Sequence, residues 1–163
     1  MLDLLFGPAA GLAVAEAFID KLHDVPSLTD ERLASLMQES EPSRLLILDV
    51  REPDEFLVSH LEGAVRIDPD TTSEEFRQIF SGDVAGRTVV AYCSIGERSA
   101  VLLERVLGIC REMGAQGAFN LRGGIFRWHA NGRRLVDKDG ASDRVHPLNP
   151  VWGMLVAQKG SGR

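Results

Sequence analysis

Cys93-Ser94-Ile95-Gly96-Glu97-Arg98-Ser99 is the stretch of this chain whose residue types and spacing can do chemistry. The apolar run Val89-Val90-Ala91-Tyr92 precedes it and helix-like periodicity begins at Ala100, so Cys93 is predicted to end a buried strand and Ser99 to open a helix. Backbone N–H groups in such a turn point inward, and the helix dipole adds partial positive charge, so a thiolate or a bound anion is favoured there. A free thiol titrates near ~8.5 and is only about 3% ionised at neutral pH, so a turn that stabilises the charged form makes a nucleophile. Gly96 permits the positive φ or close approach that such a turn needs. A lone cysteine at a strand end is ordinarily a small buried hydrophobe. The glycine, the arginine and the helix start set Cys93 apart from that case.

The rest of the chain supplies the elements that must position this loop. Leu45-Leu46-Ile47-Leu48-Asp49-Val50 and Thr88–Tyr92 are continuous apolar runs of strand length, as in a parallel sheet covered on both faces. Gly63–Ile67 and Ala118–Leu121 read as shorter strands. Helical patterns separate them. One enters at Pro26-Ser27-Leu28-Thr29, with Thr29 as N-cap and Leu33, Leu36 and Met37 buried. A short helix opens at Glu52-Pro53. Another runs from Thr72 to Phe80 with Phe76, Ile79 and Phe80 buried, and the longest runs from Ser99 to Met113. A last one follows Gly123-Gly124 and carries Phe126 and Trp128. Alternation of strands with helices implies right-handed βα units and a mainly parallel sheet of about five strands in an α/β/α sandwich.

Both ends extend beyond this pattern. Residues 9–23 form an amphipathic helix with Leu12, Ala15, Phe18, Ile19 and Leu22 on its packing face. Leu2, Leu4, Leu5 and Phe6 ahead of it need a partner. Residues 137–144 read as a polar loop, Asn149-Pro150 as the entry to a helix burying Trp152, Leu155 and Val156, and Lys159–Arg163 as a fraying tail. The two terminal helices offer contacts for a homodimer.

A net charge of −6 over 163 residues disfavours nonspecific binding to nucleic acid or an anionic membrane. The N-terminus lacks the basic region of a signal peptide, and no stretch reaches the ~18 apolar residues of a membrane span. The expected location is the cytoplasm, with both cysteines as free thiols. Cys110, deep in the helix after the loop, is a packing residue: eleven residues beyond Ser99 is about 16 Å along the axis, too far for a disulfide with Cys93. His23, His129 and His146 have no cysteine or carboxylate at metal-ligand spacing, so no metal site is expected. His60 lies in the turn before a strand and reads as structural.

Cys93-x-x-Gly96-x-Arg98-Ser99 after a strand resembles the active loop of the rhodanese family of sulfurtransferases. Leu48-Asp49-Val50-Arg51-Glu52-Pro53-Asp54-Glu55-Phe56 with His60-Leu61-Glu62-Gly63-Ala64 resembles the family's first signature, and Asn120-Leu121-Arg122-Gly123-Gly124-Ile125-Phe126-Arg127-Trp128 its closing segment. The resemblance implies a rhodanese-like domain over residues 27–136, flanked by a helical extension (1–26) and a C-terminal loop, short helix and tail (137–163). It implies that Cys93 accepts a sulfane sulfur from thiosulfate or a persulfide and passes it to a thiophilic acceptor: cyanide in an assay, a thiol or a protein cysteine in a cell. No metal or organic cofactor is needed. On the same basis the backbone of Ser94, Ile95, Gly96, Glu97, Arg98 and Ser99 is the cradle, Asp49 and Arg51 brace it, and Arg122 steers an anionic donor. A plain ion pair, or Arg51 with Glu55 four residues on, is the alternative for that pair of positions.

Two features refine the expectation. Many thiosulfate-using members have a basic residue directly after the cysteine; Ser94 and Ile95 stand here, and Glu97 adds negative charge, which makes the loop a poorer host for a dianion. Cysteine phosphatases and arsenate reductases, on a related fold, enclose phosphate with five residues between Cys and Arg. Here four intervene, a tighter loop that favours a persulfide over a tetrahedral phosphoryl centre. A non-catalytic binding module is the reading from another class, motivated by the two apolar terminal segments.

Overall fold

The computed structural model describes residues 7–147. Two apolar runs form its central strands, β2 (Leu45–Asp49) and β4 (Thr88–Tyr92), paired in parallel from Leu45 opposite Thr88 to Asp49 opposite Tyr92. β3 (Val65–Arg66) flanks β2, and β5 (Gly117–Leu121) flanks β4. The fifth strand, β1 (Ser27–Leu28), pairs with Asn120 and Leu121 of β5. All five are parallel, in the order β1-β5-β4-β2-β3.

Successive side chains of a strand alternate between faces, and each face of this sheet is covered. Leu46, Leu48, Val89, Ala91 and Cys93 pack on Phe76 and Phe80, at and just beyond α4 (Ser73–Ile79), and on Leu102, Leu103 and Val106 of α5 (Glu97–Glu112). Leu45, Ile47, Val90 and Tyr92 face the other way. They meet Leu12 of α1 (Pro8–Leu22), Leu33 of α2 (Asp30–Glu39), and Ile125, Phe126 and Trp128 of α6 (Gly124–Ala130). The short α3 (Pro53–Val58) follows β2. The expected three-layer arrangement with a five-stranded parallel sheet is present.

Several local expectations need correction. Ser27–Leu28 is a strand as well as the approach to a helix; Thr29 still caps α2, its Oγ1 accepting Arg32 N–H at 3.2 Å. In α1 Leu12 and Ile19 are buried, but Phe18 and Leu22 are 60% and 55% exposed. Their place is taken by Glu16, buried because Arg127 meets it. Ile79 points to solvent while Phe76 and Phe80 fill the core. Residues 137–144 are not simply a loop. β6 (Leu135–Asp137) and β7 (Gly140–Ser142) form an antiparallel hairpin whose turn is closed by Asp139 N–H donating to Asp137 Oδ1 at 2.8 Å. Strands of three residues are too short to show a period-2 pattern. The expectations for Leu2, Leu4, Leu5 and Phe6, for the helix with Trp152, Leu155 and Val156, and for the tail lie outside the described residues. No helix among the described residues is long and apolar enough to cross a membrane.

Candidate active site

Cys93 follows β4 directly and is 1% exposed. Gly96, at φ 107°, turns the chain into α5 and serves as its N-cap. That left-handed conformation favours glycine, and an added Cβ would crowd Asn120 Nδ2 at 3.3 Å. The turn brings Gly96 N–H onto Cys93 Sγ at 3.1 Å, with Ser99 Oγ 3.6 Å from the same sulfur. The sulfur thus sits at the N-terminus of a 16-residue helix, with a backbone donor on it.

The loop is held from three sides. Behind it, Ile125 N–H donates to Cys93 O at 2.9 Å and Phe126 N–H to Ser94 O at 3.1 Å. Gly123 and Gly124 both have positive φ, and a Cβ on Gly124 would press into the carbonyl oxygens of Cys93 and Ser94. The Gly-Gly pair therefore lets α6 start directly against the loop. On the β5 side, buried Asn120 accepts Ser99 O–H at 2.6 Å and donates to Gly96 O at 2.9 Å. From α3, Glu55 accepts two hydrogen bonds from Arg98 at 2.7 and 2.8 Å and one from Ser94 Oγ at 3.1 Å. Arg98 Nη2 also reaches Ser94 Oγ at 2.9 Å. The Glu55 carboxylate, 2% exposed, thereby ties position 94 to position 98. Glu97 is exposed, and Ile95 is half-buried against the second core cluster.

Burial alone would raise the pKa of Glu55. The Arg98 hydrogen bonds, the Glu52 N–H and the charges of Arg98 and Arg51 more than offset it, holding the carboxyl at about 2 against an ordinary 4.5. The folded value is depressed, so this ionisation contributes stability above the unfolded pKa and loses it as pH falls through the folded one. Wild type should lose on the order of 3 kcal/mol between about pH 4.5 and pH 2 through this group. Urea melts over that range check it: a Glu55→Gln variant, already lacking the ionised clamp, should show a shallower fall.

Asp49 and Arg51 act one layer below. Arg51 Nε and Nη2 donate to the two Asp49 oxygens at 2.8 and 2.7 Å, and Nη2 also reaches Ser59 O at 2.7 Å. Tyr92, next to the cysteine, donates to Asp49 Oδ2 at 2.5 Å and accepts Leu61 N–H at 3.1 Å. Asp49, Arg51 and Tyr92 are fully buried. This pair fixes the base of the loop through Tyr92, whereas Glu55 holds the loop itself. Arg51 takes Asp49 as its partner, not Glu55.

Arg122 is turned away to α1, with Nε 2.8 Å from Asp20 Oδ2. His60 stacks on Phe56 and bonds to its carbonyl. Cys110 is 1% exposed in the apolar cluster, where burial pushes its thiol up to about 11. A cavity of about 680 Å³ lies beyond the C-terminal end of α6, lined in part by Arg133, Arg144 and His146, and none of residues 93–99 borders it. Among the described residues no group of histidine, cysteine and carboxylate side chains could hold a metal ion.

Two site residues escaped sequence reasoning. Glu55 stood in a recognised motif, but the only partner weighed for it was Arg51, as an alternative under the i,i+4 rule. Asn120 looked like one more strand residue; its polarity in an otherwise apolar run was the available signal.

Comparison with known proteins places this geometry. The model of the rhodanese-like domain matches residues 29–131. An uncharacterized protein of Synechocystis sp. is 28% identical over 128 residues, 75% of this chain, and the chain spans 64% of that relative's length. Among solved structures, a thiosulfate sulfurtransferase from Pseudomonas aeruginosa superposes with a TM-score of 0.59 at 21% identity, over 91% of this chain and 26% of that one. A protein of unknown function from Rhodopseudomonas palustris, described as a possible tyrosine phosphatase, gives 0.51 at 24% identity over 78% of this chain and 92% of its own. At such identities the structural matches speak to the fold alone; the family model, covering more than half of the sequence, speaks to descent. The chain belongs to the rhodanese-like domain family.

Proposed function

We propose that this chain is a sulfurtransferase that carries a sulfane sulfur as a persulfide on Cys93. The observation that carries the reading is Cys93 Sγ at the C-terminal end of β4, accepting Gly96 N–H at 3.1 Å where α5 begins. In the first step the thiolate attacks the outer sulfur of a donor X–S. The S–X bond breaks and its electron pair leaves with X, as sulfite from thiosulfate or a thiolate from a persulfide. In the second step an acceptor thiolate attacks the terminal sulfur and the Cys93 thiolate returns. Neither step needs a metal, an organic cofactor or a general base. Glu55, Asn120 and the α6 amides hold the loop in one shape for both steps, so little reorganisation accompanies them. The acceptor is a thiol or a protein cysteine, and a reducing compartment such as the cytoplasm suits both partners.

A phosphatase reading draws less support. Only four residues separate Cys93 from Arg98, and both Arg98 Nη atoms are committed to Glu55. The exposed side chains of Val14, Phe18 and Leu22 on α1 favour a second reading, a docking module that binds a partner without turnover. A partner captured equally by wild type and Cys93→Ser, with no donor loading, is its signature.

The test is intact-mass measurement after incubation with thiosulfate and, separately, with an alkyl persulfide, followed by desalting. The expected result is gain of one sulfur atom, mapped to the Cys93 peptide and removed by cyanide. No gain from either donor overturns the sulfurtransferase reading.

A further inference from the structure

We infer that the donor is an organic persulfide, R–S–S–H, on a small thiol or a protein cysteine, and that dianionic thiosulfate is disfavoured by the charge arrangement around Cys93. This rests on the sulfurtransferase reading and narrows it.

The argument is a charge inventory. A dianion needs uncompensated positive charge at the mouth of the site, and each arginine beside the loop is already matched. Arg98, the cation within the loop, gives both Nη groups to Glu55. Arg122 and Arg127, on and just beyond the turn that packs behind Gly96, pair with Asp20 at 2.8 Å and Glu16 at 2.7 Å. Arg51 is buried on Asp49. Arg66 ends β3, two strands from β4, and donates to Arg51 O. Glu97 remains, exposed at the helix start and without an ion pair among the described residues. Arg98 also interacts with the Cys93 side chain, but its charge is balanced there by Glu55, so with Glu97 the surroundings of the sulfur sum to neutral or negative, apart from the helix dipole. A fixed charge acts twice as strongly on thiosulfate as on a monoanion, and hardly at all on a neutral hydropersulfide.

Shape points the same way. Cys93 is 1% exposed and Ser94 fully buried, so the residue offers little surface to a donor. Next to its transferable sulfur an alkyl persulfide carries a thin C–S link, whereas thiosulfate carries a tetrahedral sulfonate with three charged oxygens. Without a free guanidinium those oxygens exchange water for little. In the inferred step Cys93–S⁻ attacks the outer sulfur of R–S–S–H. The new S–S bond forms as the old one breaks, R–S⁻ leaves with the electron pair, and the proton stays on the transferred sulfur. No external oxidant or reductant enters.

The experiment compares initial rates of Cys93 persulfide formation from cysteine persulfide and from thiosulfate, each divided by its rate with a small thiolate in solution to remove intrinsic reactivity. The full chain is used throughout. Wild type should prefer the persulfide by at least about 100-fold after this normalisation, and its thiosulfate rate should rise with ionic strength while the persulfide rate stays flat. Glu97→Lys, a change of charge at an exposed position, should raise the ratio of the thiosulfate rate to the persulfide rate about tenfold. Glu55→Gln releases Arg98 and should act in the same direction; because it also loosens the loop, Glu97→Lys is the deciding variant. Equal normalised rates from the two donors, or a thiosulfate rate indifferent to both salt and Glu97→Lys, overturn the inference and leave sulfur transfer standing. Loading from neither donor removes both.

Discussion

Cys93→Ser should lower sulfur loading by at least about 10³-fold while shifting stability by less than about 1 kcal/mol, and Cys110→Ser should do the reverse. At position 93 a serine hydroxyl stays un-ionised at neutral pH, so the nucleophile is lost. The hydroxyl nonetheless keeps a partner: Gly96 N–H, 3.1 Å from the sulfur, can meet an oxygen in its place. At position 110 the surroundings are aliphatic, including Val106 and Ala118 of the same cluster. A hydroxyl there is left with little beyond the carbonyls of its own helix, which costs about 1–2 kcal/mol. Its loss should leave loading unchanged, because burial keeps that thiol protonated, at a pKa of about 11. Loading kinetics and urea midpoints on the two variants read out this crossed pattern. Equal loss of loading in both would show that Cys110 takes part in the chemistry.

Arg51→Met should cost about 3–5 kcal/mol, the largest stability effect expected of any single charge removal in the described structure. The guanidinium is fully buried and gives two hydrogen bonds to Asp49 and one to Ser59 O. Methionine fills the space but leaves the Asp49 carboxylate in the interior with Tyr92 as its remaining hydrogen-bond donor. The cost is that of a stranded charge, so Asp49→Asn added to Arg51→Met should recover part of the loss. Arg122→Ala supplies the contrast. Its pair with Asp20 has side chains 42% and 36% exposed, and an ion pair so placed is worth under about 1 kcal/mol. Urea midpoints at neutral pH separate these cases. A loss below 1 kcal/mol for Arg51→Met would mean that the buried pair is not the anchor its geometry implies.

The central sheet and the loop were legible in the sequence because their signals are local. Apolar runs at 45–50 and 88–92, and a cysteine three residues before a glycine at a helix start, need no knowledge of distant partners. What stayed hidden depends on distance along the chain. Glu55 meets Arg98 43 residues away, whereas local spacing offered only Arg51 as an alternative partner. That alternative does not hold because Arg51, two residues beyond the end of β2, turns back onto Asp49 with two hydrogen bonds at 2.8 and 2.7 Å. Glu16 in α1 is buried by its pairing with Arg127, 111 residues on, which no local pattern announces. The helix was accordingly assigned a face rotated toward Phe18 and Leu22, which instead stand exposed. Strand β1, two residues long, and the three-residue strands of the hairpin carry too few positions for a period to register.

The grip of α1 on the turn behind the loop bears on how Cys93 is held. Glu16 holds Arg127 and lies against Gly123; the next residues, Ile125 and Phe126, send their amides to the carbonyls of Cys93 and Ser94. Two links thus separate Cys93 from a helix that precedes residues 29–131, the stretch matched by the family model. In engineering terms, α1 is a strut bolted to the back plate of the site. A fragment cut to the family boundaries would keep every atom of the loop and lose one of its mountings.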